Sequence, residues 1–298
     1  MKRITVFSGK GGTGKSTISS SLAVMLSKNK KIITVDCDVD APDLGLCMGV
    51  SDKGYDWKPV QTGQKAVLDE NKCTHCQKCK NICRFGAIQW DEKKNQPIFN
   101  RMLCEGCGAC KLICPEQAIS LIDVENGRIG NAKTKYGFPI VTGQLKMGET
   151  GSGKIVLFIK TRAEKIAHEE KADILLVDSA AGIGCPVIAS INGSDFVLAV
   201  TEPTPSALSD LKKGLQVVEH FQIPYGLIIN KHDINPDFTK EIEKFAKENN
   251  IPIIGKVPYD KEFVTALVNL TPAVEWNKKF KPIFEEILDN LSKVVTFT

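Results

Sequence analysis

The stretch GKGGTGKST, residues 9–17, decides the fold of this 298-residue chain. It follows ITVFS, residues 4–8, an apolar β-branched run of strand length, and precedes ISSSLAVMLSK, residues 18–28, which has a helical pattern. In the order strand, glycine loop and helix, the pattern G-x-x-x-x-G-K-[ST] predicts a phosphate-binding loop. We expect backbone N–H groups and the helix amino end to surround the phosphates, Lys15 to neutralise them and Ser16 to bind Mg²⁺.

Composition argues against several classes of protein. The chain is 42% hydrophobic and 25% charged with a net charge of +4, a balance too mild to indicate nucleic acid or an acidic membrane surface as a partner. The start of the chain, MKRITVFSGK, has no apolar stretch of signal-peptide length, and no segment approaches the ~18 apolar residues of a membrane span. We therefore expect a cytoplasmic protein in which most of the eleven cysteines bind metal or are buried, because disulfides are rare in a reducing compartment.

A second glycine-rich stretch, GETGSGKI at residues 148–155, has P-loop spacing but lacks its chemistry. Ile155 replaces the hydroxyl residue that would hold Mg²⁺, and the preceding residues do not have the pattern of a buried strand. We interpret this stretch as a hairpin turn.

Lys10 gives the first loop a family likeness. KGGTGKST resembles the deviant Walker A loop of the MinD/ParA/nitrogenase iron protein family, in which this additional lysine reaches across a dimer interface to the partner's nucleotide. The resemblance implies a Mg²⁺-dependent ATPase that forms an ATP-dependent homodimer, with Lys10 and Lys15 as catalytic residues. The loop residues implied to bind nucleotide are Gly9, Lys10, Gly11, Gly12, Thr13, Gly14, Lys15, Ser16 and Thr17.

Two further segments extend the resemblance. Residues 31–49 look like the family's switch I, with Asp38 at the position that orients or activates the attacking water and Asp36 as a lesser candidate for the Mg²⁺ shell. Residues 172–184 contain an apolar run that ends in Asp178, the Walker B pattern for holding Mg²⁺, and Gly182 matches the glycine of switch II.

Apolar strands and amphipathic helices continue to alternate over the rest of the chain, as in FVLAVTEPTP and YGLIINKHD. This alternation predicts an α/β fold, a mostly parallel sheet with helices on both faces and phosphates at the carboxyl ends of the strands.

The base of the nucleotide is less clearly specified. Asn230-Lys231-His232-Asp233 matches the N-K-x-D string by which many GTPases read guanine, whereas in MinD-like ATPases the asparagine after this strand contacts adenine. The family resemblance favours ATP over GTP, with Asn230 on one side of the base and Pro258 on the other.

Between the switch I and Walker B segments lies an internal repeat with a period of 31 residues. CTHCQKCKNIC, residues 73–83, aligns with CEGCGACKLIC, residues 104–114, and each copy has C-x2-C-x2-C-x3-C spacing. This spacing is typical of bacterial ferredoxins, in which the fourth cysteine of each run binds the other cluster. By that rule one 4Fe–4S cluster is held by Cys73, Cys76, Cys79 and Cys114, and the other by Cys104, Cys107, Cys110 and Cys83.

Zinc is the chief alternative for these cysteines, but zinc sites usually pair two C-x2-C units across a longer gap. One departure from the ferredoxin pattern is visible, because Cys83 is followed by Arg84 whereas Cys114 is followed by the usual proline. The three remaining cysteines, at positions 37, 47 and 185, are expected to be structural.

The predicted organisation is therefore an ATPase domain interrupted by a small α+β ferredoxin-like insert. Its parts are a first ATPase segment at 1–60, the insert at 61–125, a connector hairpin at 126–153 and a second ATPase segment at 154–298.

The leading functional hypothesis is that ATP-dependent dimerisation and switch movement gate electron transfer through two clusters to an unidentified redox partner. The alternative is an ATP-dependent scaffold or carrier that assembles a metal cofactor on another protein. A helical apolar face near the carboxyl end, over residues 283–295, is expected to pack on the sheet, because its polar face is too acidic for an anionic membrane.

Overall fold

The computed structural model describes residues 1–296 and has an α/β fold. In chain order the strands are β1 (Lys2–Ser8), β2 (Ile32–Asp36), β3 (Asp56–Val60), β4 (Gly63–Leu68), β5 (Ile88–Asp91), β6 (Gln96–Phe99), β7 (Ile119–Val124), β8 (Gly127–Lys133), β9 (Pro139–Leu145), β10 (Ile174–Ala181), β11 (Phe196–Thr201), β12 (Tyr225–Asn230) and β13 (Ile253–Val257). The α-helices are α1 (Lys15–Leu26), α2 (Leu44–Cys47), α3 (Lys78–Ile82), α4 (Ala109–Ile113), α5 (Ser152–Glu169), α6 (Cys185–Ile191), α7 (Pro205–His220), α8 (Pro236–Glu248), α9 (Lys261–Val268), α10 (Ala273–Trp276) and α11 (Lys281–Val294).

The large sheet has the strand order β13-β12-β11-β1-β10-β2-β9-β8-β3 within the described residues. The pairs that join β13 through to β9 are all parallel. Its central strands are buried along their whole length, as in β2 and β11, because helices cover both faces of the sheet. The predicted class, a mostly parallel sheet between two layers of helices, is confirmed.

Each face of the sheet has its own hydrophobic core. Leu22 of α1 and Ile287 of α11 pack on one face with Ile4 and Val6 of β1. On the other face, the helices α6, α7 and α8 pack around Phe7, the residue between Val6 and the end of the strand. The side chains of β1 alternate between the two faces, so this strand holds both layers in place and fixes the position of the loop that follows it.

The chain divides into two compact units. The large unit comprises Met1–Lys58, Ile129–Gln144 and the described residues from Ser152 onward, and the small unit comprises Pro59–Arg128 and Leu145–Gly151. The small unit contains two antiparallel strand pairs, β4 with β7 and β5 with β6, and the helices α3 and α4.

The 31-residue repeat of the sequence is also a repeat of backbone conformation in the small unit. The helix α4 begins and ends 31 residues after α3. Three positions in each copy have left-handed backbone, and they fall in matching pairs: His75 with Gly106, Gln77 with Gly108, and Gly86 with Gln117. Left-handed residues other than glycine are uncommon, so their recurrence at equivalent positions indicates that both copies form the same loop.

The segment predicted as a connector hairpin is divided between the two units. The strands β8 and β9 lie in the large sheet, and Leu145–Gly151 belongs to the small unit. The predicted hairpin turn over residues 148–155 is wrong, because β9 ends at Leu145 and α5 already begins at Ser152. The residues from Ile155 onward have the apolar spacing of a helix that buries Ile155 and Ile159, and this pattern overrides the turn signal of the glycines.

The carboxyl-terminal apolar face packs as the sequence predicts. The helix α11 buries Phe284, Ile287 and Leu291 in the core of the large unit. The final two residues of the predicted second ATPase segment lie outside the described part of the chain. Among residues 1–296, no helix has the length and apolar content needed to cross a membrane.

Candidate functional site

The glycine loop between β1 and α1 forms one wall of a cleft of about 1050 Å³, open mouth included. Gly12 and Gly14 have left-handed backbone, with φ of 80° and 87°, and Gly14 caps the amino end of α1. The loop thus presents consecutive N–H groups and a helix amino end to the same space, which is an arrangement suited to an anion. Predicted residues of the loop that line the cleft are Gly11, Gly12, Thr13, Gly14, Lys15, Ser16 and Thr17.

Asp178 of β10 lies at the base of this loop and is fully buried. Its Oδ2 is 2.8 Å from Lys15 Nζ and accepts a hydrogen bond of 2.7 Å from Ser16 Oγ, while its Oδ1 accepts one of 2.6 Å from Ser19 Oγ. Burial by itself lowers the pKa of Lys15, but the charge and hydrogen bond of Asp178 outweigh this effect, and the pKa is raised. Lys15 is therefore charged at neutral pH, and the predicted Mg²⁺ residues Ser16 and Asp178 are within hydrogen-bonding distance of each other.

A second buried carboxylate stands beside the first. Asp36 and Asp178 occupy paired positions on the parallel strands β2 and β10. Burial and the neighbouring charge of Asp178 raise the pKa of Asp36 well above its ordinary value. The carboxylate of Asp36 accepts the backbone N–H groups of Leu44 at 2.9 Å and Asp38 at 3.1 Å, so it holds the turn after β2 in place.

That turn brings two further acidic residues to the cleft. Asp38 and Asp43 both line it, and burial raises the pKa of each. Asp38 is predicted from the sequence, whereas Asp43, whose carboxyl interacts with Ser16, is not. The sequence signal that could have indicated Asp43 was its position after a strand that ends in acidic residues.

Lys10 contacts acidic and polar residues of its own chain. Its Nζ is 3.4 Å from Glu202 Oε1 and donates to Ser206 Oγ at 3.2 Å. The other oxygen of Glu202, Oε2, is 2.8 Å from Lys231 Nζ, and Lys231 also donates to the carbonyl of Gly12 at 3.1 Å. Glu202 thus joins the lysine of the glycine loop to the lysine of the N-K-H-D string, a role that sequence reasoning missed.

Asn230 lines the cleft and also supports the glycine loop from below. Its Nδ2 donates to the carbonyl of Thr13 at 2.7 Å, and a methyl group placed on Gly14 would lie 2.3 Å from that nitrogen. Pro258 lines the cleft beyond the loop, followed by the apolar wall of Phe263 and Leu267.

The last residue of the N-K-H-D string does not line the cleft but bonds to the backbone of Tyr259, which does. Asp233 Oδ1 accepts the backbone N–H of Tyr259 at 2.6 Å, so one oxygen of the carboxylate that would read guanine already has a partner.

Three predicted residues lie beside the cleft. Gly9 packs so closely on the α7 backbone that a methyl group there would lie 2.4 Å from Asp210. Gly182 has a φ of 97° and donates its N–H to the carbonyl of Ser8 at 3.1 Å, and Lys10 is held by Glu202. The loop after β10 is thereby tied to the residue that precedes the P-loop.

The eight cysteines of the repeat separate into two sets around two cavities of the small unit. One cavity is lined by Cys73, Cys76, Cys79 and Cys114. The other is lined by Cys83, Cys104, Cys107 and Cys110. Each cavity combines three cysteines of one copy with the fourth cysteine of the other, the same division that the ferredoxin rule predicts.

The surroundings of these cavities suit iron–sulfur clusters. Both are lined mainly by apolar side chains such as Leu68, Ile119 and Phe99. Backbone N–H groups approach the sulfurs, from Ala118 to Cys114 Sγ at 3.3 Å and from Ala66 to Cys104 Sγ at 3.5 Å. Loops of alternating backbone hand and N–H···S hydrogen bonds are features of Fe–S sites, so the residues present fit such a group.

In residues 1–296, no group of three or more histidine, cysteine or acidic side chains converges on a point where one ion could bind. A cubane has one thiolate on each of four irons, so its ligands surround a larger body than a zinc ion.

The other cysteines lie in the large unit. Cys37 and Cys47 are buried, and burial raises the pKa of both thiols, that of Cys37 to about 12. Cys185 was expected to be a buried small residue, and this expectation is wrong, because it is the first residue of α6, after the extended Gly184, and is exposed there.

Comparisons with known proteins place this architecture among nucleotide-binding proteins. Residues 4–272 match the family model described as the CobQ/CobB/MinD/ParA nucleotide binding domain. An uncharacterized protein of Methanocaldococcus jannaschii is 35% identical over 296 residues, which cover 98% of this chain and 97% of that protein. The iron-sulfur cluster carrier protein of Methanococcus maripaludis is 24% identical over 309 residues, covering 98% of this chain and 86% of the carrier.

Among solved structures, the septum site-determining protein MinD of Pyrococcus horikoshii, complexed with Mg-ADP, has the same fold. Its TM-score is 0.59 at 18% identity, with 98% of this chain and 96% of that chain covered.

Proposed function

This chain belongs to the CobQ/CobB/MinD/ParA family of nucleotide-binding domains, and from that premise we propose that it is an ATPase whose nucleotide state controls two 4Fe–4S clusters in its small unit. The observation that carries the proposal is the sorting of eight cysteines into two four-cysteine cavities, in the same chain as a P-loop cleft. A 4Fe–4S cluster bound in each cavity supplies one-electron transfer. The function is then nucleotide-gated electron transfer to a redox partner.

In the cleft, Lys15 is proposed to bind the outer phosphates, and Ser16 and Asp178 to hold Mg²⁺, the last through water. Lys15 and Ser16 are hydrogen-bonded to Asp178 in this structure. Mg²⁺ and phosphate would replace these hydrogen bonds, and the side chains that bind them are already held close together. Asp38, which lines the cleft, is proposed to orient the attacking water. Lys10 would leave Glu202 to reach the nucleotide of a second copy, which makes the ATP-bound form a homodimer.

Adenine is the base that we propose for this cleft. The bond from Tyr259 N–H to Asp233 leaves the carboxylate of the N-K-H-D string partly occupied, and the amide of Asn230 is held by the P-loop. The Mg-ADP in the structurally similar MinD supports the same choice.

Nucleotide and clusters can influence each other only through a difference in affinity between states, and that influence is reciprocal. We therefore expect ATP affinity to change by about tenfold or more when the clusters are reduced. Calorimetry with a non-hydrolysable ATP analogue on anaerobic protein, first oxidised and then reduced, measures this change. The Lys15→Met variant serves as the non-binding control. Equal affinity in the two redox states would contradict gating.

A second candidate function is ATP-dependent delivery of an iron–sulfur cluster, favoured by the relative named as an iron-sulfur cluster carrier protein. Incubation of the loaded protein with an apo-ferredoxin separates the two. Electron gating predicts that the clusters stay in their four-cysteine cavities with and without ATP, whereas delivery predicts ATP-stimulated appearance of holo-ferredoxin.

A further inference from the structure

The small unit contains a buried lysine for which the proposed function has no role. Lys65 lies on β4, paired with Ile122 of β7, and only 1% of its surface is exposed. Its Nζ donates to the carbonyl of Cys104 at 2.8 Å and lies 3.2 Å from Glu149 Oε2, without the angle of a hydrogen bond. Burying an ammonium group is costly unless it is paired, so this charge is held against a cysteine loop at an energetic cost.

The position of Lys65 is specific to one of the two cysteine cavities. The next residue, Ala66, lines the cavity of Cys83, Cys104, Cys107 and Cys110, and its N–H points to Cys104 Sγ. Among the described residues of the small unit, Lys65 is the one buried lysine, and the other cavity has no buried cation in its lining. The two halves of the repeat are therefore electrostatically unequal.

A fixed positive charge in a low-dielectric interior stabilises an added electron nearby. A carboxylate paired with that charge cancels part of its effect. We propose, on the basis of the proposed cluster binding, that Lys65 raises the reduction potential of the cluster held by Cys83, Cys104, Cys107 and Cys110, and that Glu149 sets how much of its charge this cluster experiences.

Glu149 lies on a segment that leads directly to the nucleotide-binding unit. The segment Leu145–Gly151 is anchored in the small unit by Asn126, whose Nδ2 donates to the carbonyl of Thr150 at 2.7 Å. The chain then enters α5, where Gly153 approaches the start of α6 so closely that an added methyl group would lie 3.0 Å from Cys185 Cβ. Cys185 is three residues beyond Gly182, so this close approach is next in sequence to the loop after β10.

Redox titration of the anaerobically loaded, full-length protein by electron paramagnetic resonance tests this assignment. Lys65→Met should lower the midpoint of one cluster and leave that of the other unchanged. The expected change is about tenfold in the reduction equilibrium, which is 59 mV for a one-electron couple. Glu149→Gln should raise the same midpoint, by an amount equal to about a threefold change in the reduction equilibrium, because it leaves the charge of Lys65 unopposed. Lys146→Met is the matched control, since this exposed lysine of the same segment pairs with Glu125 and is screened by solvent, and we expect a change of less than about twofold.

The outcomes separate this inference from the function on which it rests. Wild-type protein that holds no cubane clusters refutes cluster binding itself. Intact clusters with unmoved midpoints in both variants overturn the role of Lys65, as does an equal shift of both clusters. If the Lys65→Met variant loses a cluster, the Glu149→Gln variant becomes the test, and an unchanged cluster midpoint in Glu149→Gln overturns the proposal. Loss of the cluster in both variants also overturns it, because the ion pair would then be needed for binding and not for potential.

Discussion

Three glycines of the phosphate-binding loop should respond very differently to substitution by alanine. At Gly14 the left-handed backbone costs an ordinary residue about 1–2 kcal/mol. The added methyl group would also displace the amide of Asn230 from the carbonyl of Thr13, and loss of this buried hydrogen bond costs about 1–3 kcal/mol more. We therefore expect Gly14→Ala to reduce the free energy of unfolding by about 2–5 kcal/mol.

Gly12 and Gly11 serve as graded controls. Gly12 also has a positive φ but no atom within 4 Å of an added methyl group, so Gly12→Ala should cost only the backbone strain of about 1–2 kcal/mol. Gly11 has open space and no left-handed backbone, and its substitution should change the free energy of unfolding by less than about 0.5 kcal/mol.

Urea unfolding of the nucleotide-free protein measures the series. In a Trp90→Phe background, Trp57 and Trp276 remain, and both lie in the large unit, so their fluorescence reports the unit that contains the loop. A Gly14→Ala variant no less stable than Gly12→Ala would refute the role assigned to Asn230 beneath the loop.

The remaining predictions concern turnover, assembly and the thiols. Asp38→Asn should abolish ATP hydrolysis but leave ATP binding unchanged, and undiminished phosphate release would remove Asp38 from the mechanism. Lys10→Ala should lose ATP-dependent dimerisation, as measured by light scattering. Lys213→Ala, which removes an exposed lysine paired with Asp210, should still dimerise. A Lys10→Ala variant that dimerises with ATP would contradict the role of Lys10 in the partner's site. Iodoacetamide at pH 8 should label Cys185 and spare Cys37, whose pKa burial raises to about 12, and mass spectrometry of labelled peptides checks this. The pKa of Cys37 is higher in the folded than in the unfolded protein, so its contribution to stability is complete below about pH 8.5 and is lost as the pH rises towards 12. Labelling of Cys37 below about pH 9 would contradict its burial.

Local patterns in the sequence were sufficient to predict much of the nucleotide cleft. Lys15, Ser16 and Asp178 meet because the P-loop and the Walker B strand end at the same edge of a parallel sheet, and the order of elements already implies that arrangement. The burial of α11 was also predictable, because its apolar residues recur with the periodicity of a helix.

Long-range partners were beyond the reach of local pattern. Asn230 meets the carbonyl of Thr13 across 217 positions of sequence, and Glu202 joins two lysines from different loops. No periodicity encodes such contacts, because they depend on how loops from several strands converge. Lys65 was missed for a related reason, since a lysine in a short strand ordinarily indicates a solvated face, and its partners lie at Cys104 and Glu149.

The central claim, that nucleotide and clusters are energetically coupled, is tested most directly by the cluster midpoints in three nucleotide states. Electron paramagnetic resonance at controlled potential would be recorded without nucleotide, with ADP and with a non-hydrolysable ATP analogue. We predict that the ATP analogue shifts at least one midpoint by more than about 59 mV relative to ADP, a tenfold linkage for a one-electron couple. Midpoints that are the same in all three states would contradict coupling through the cluster potentials.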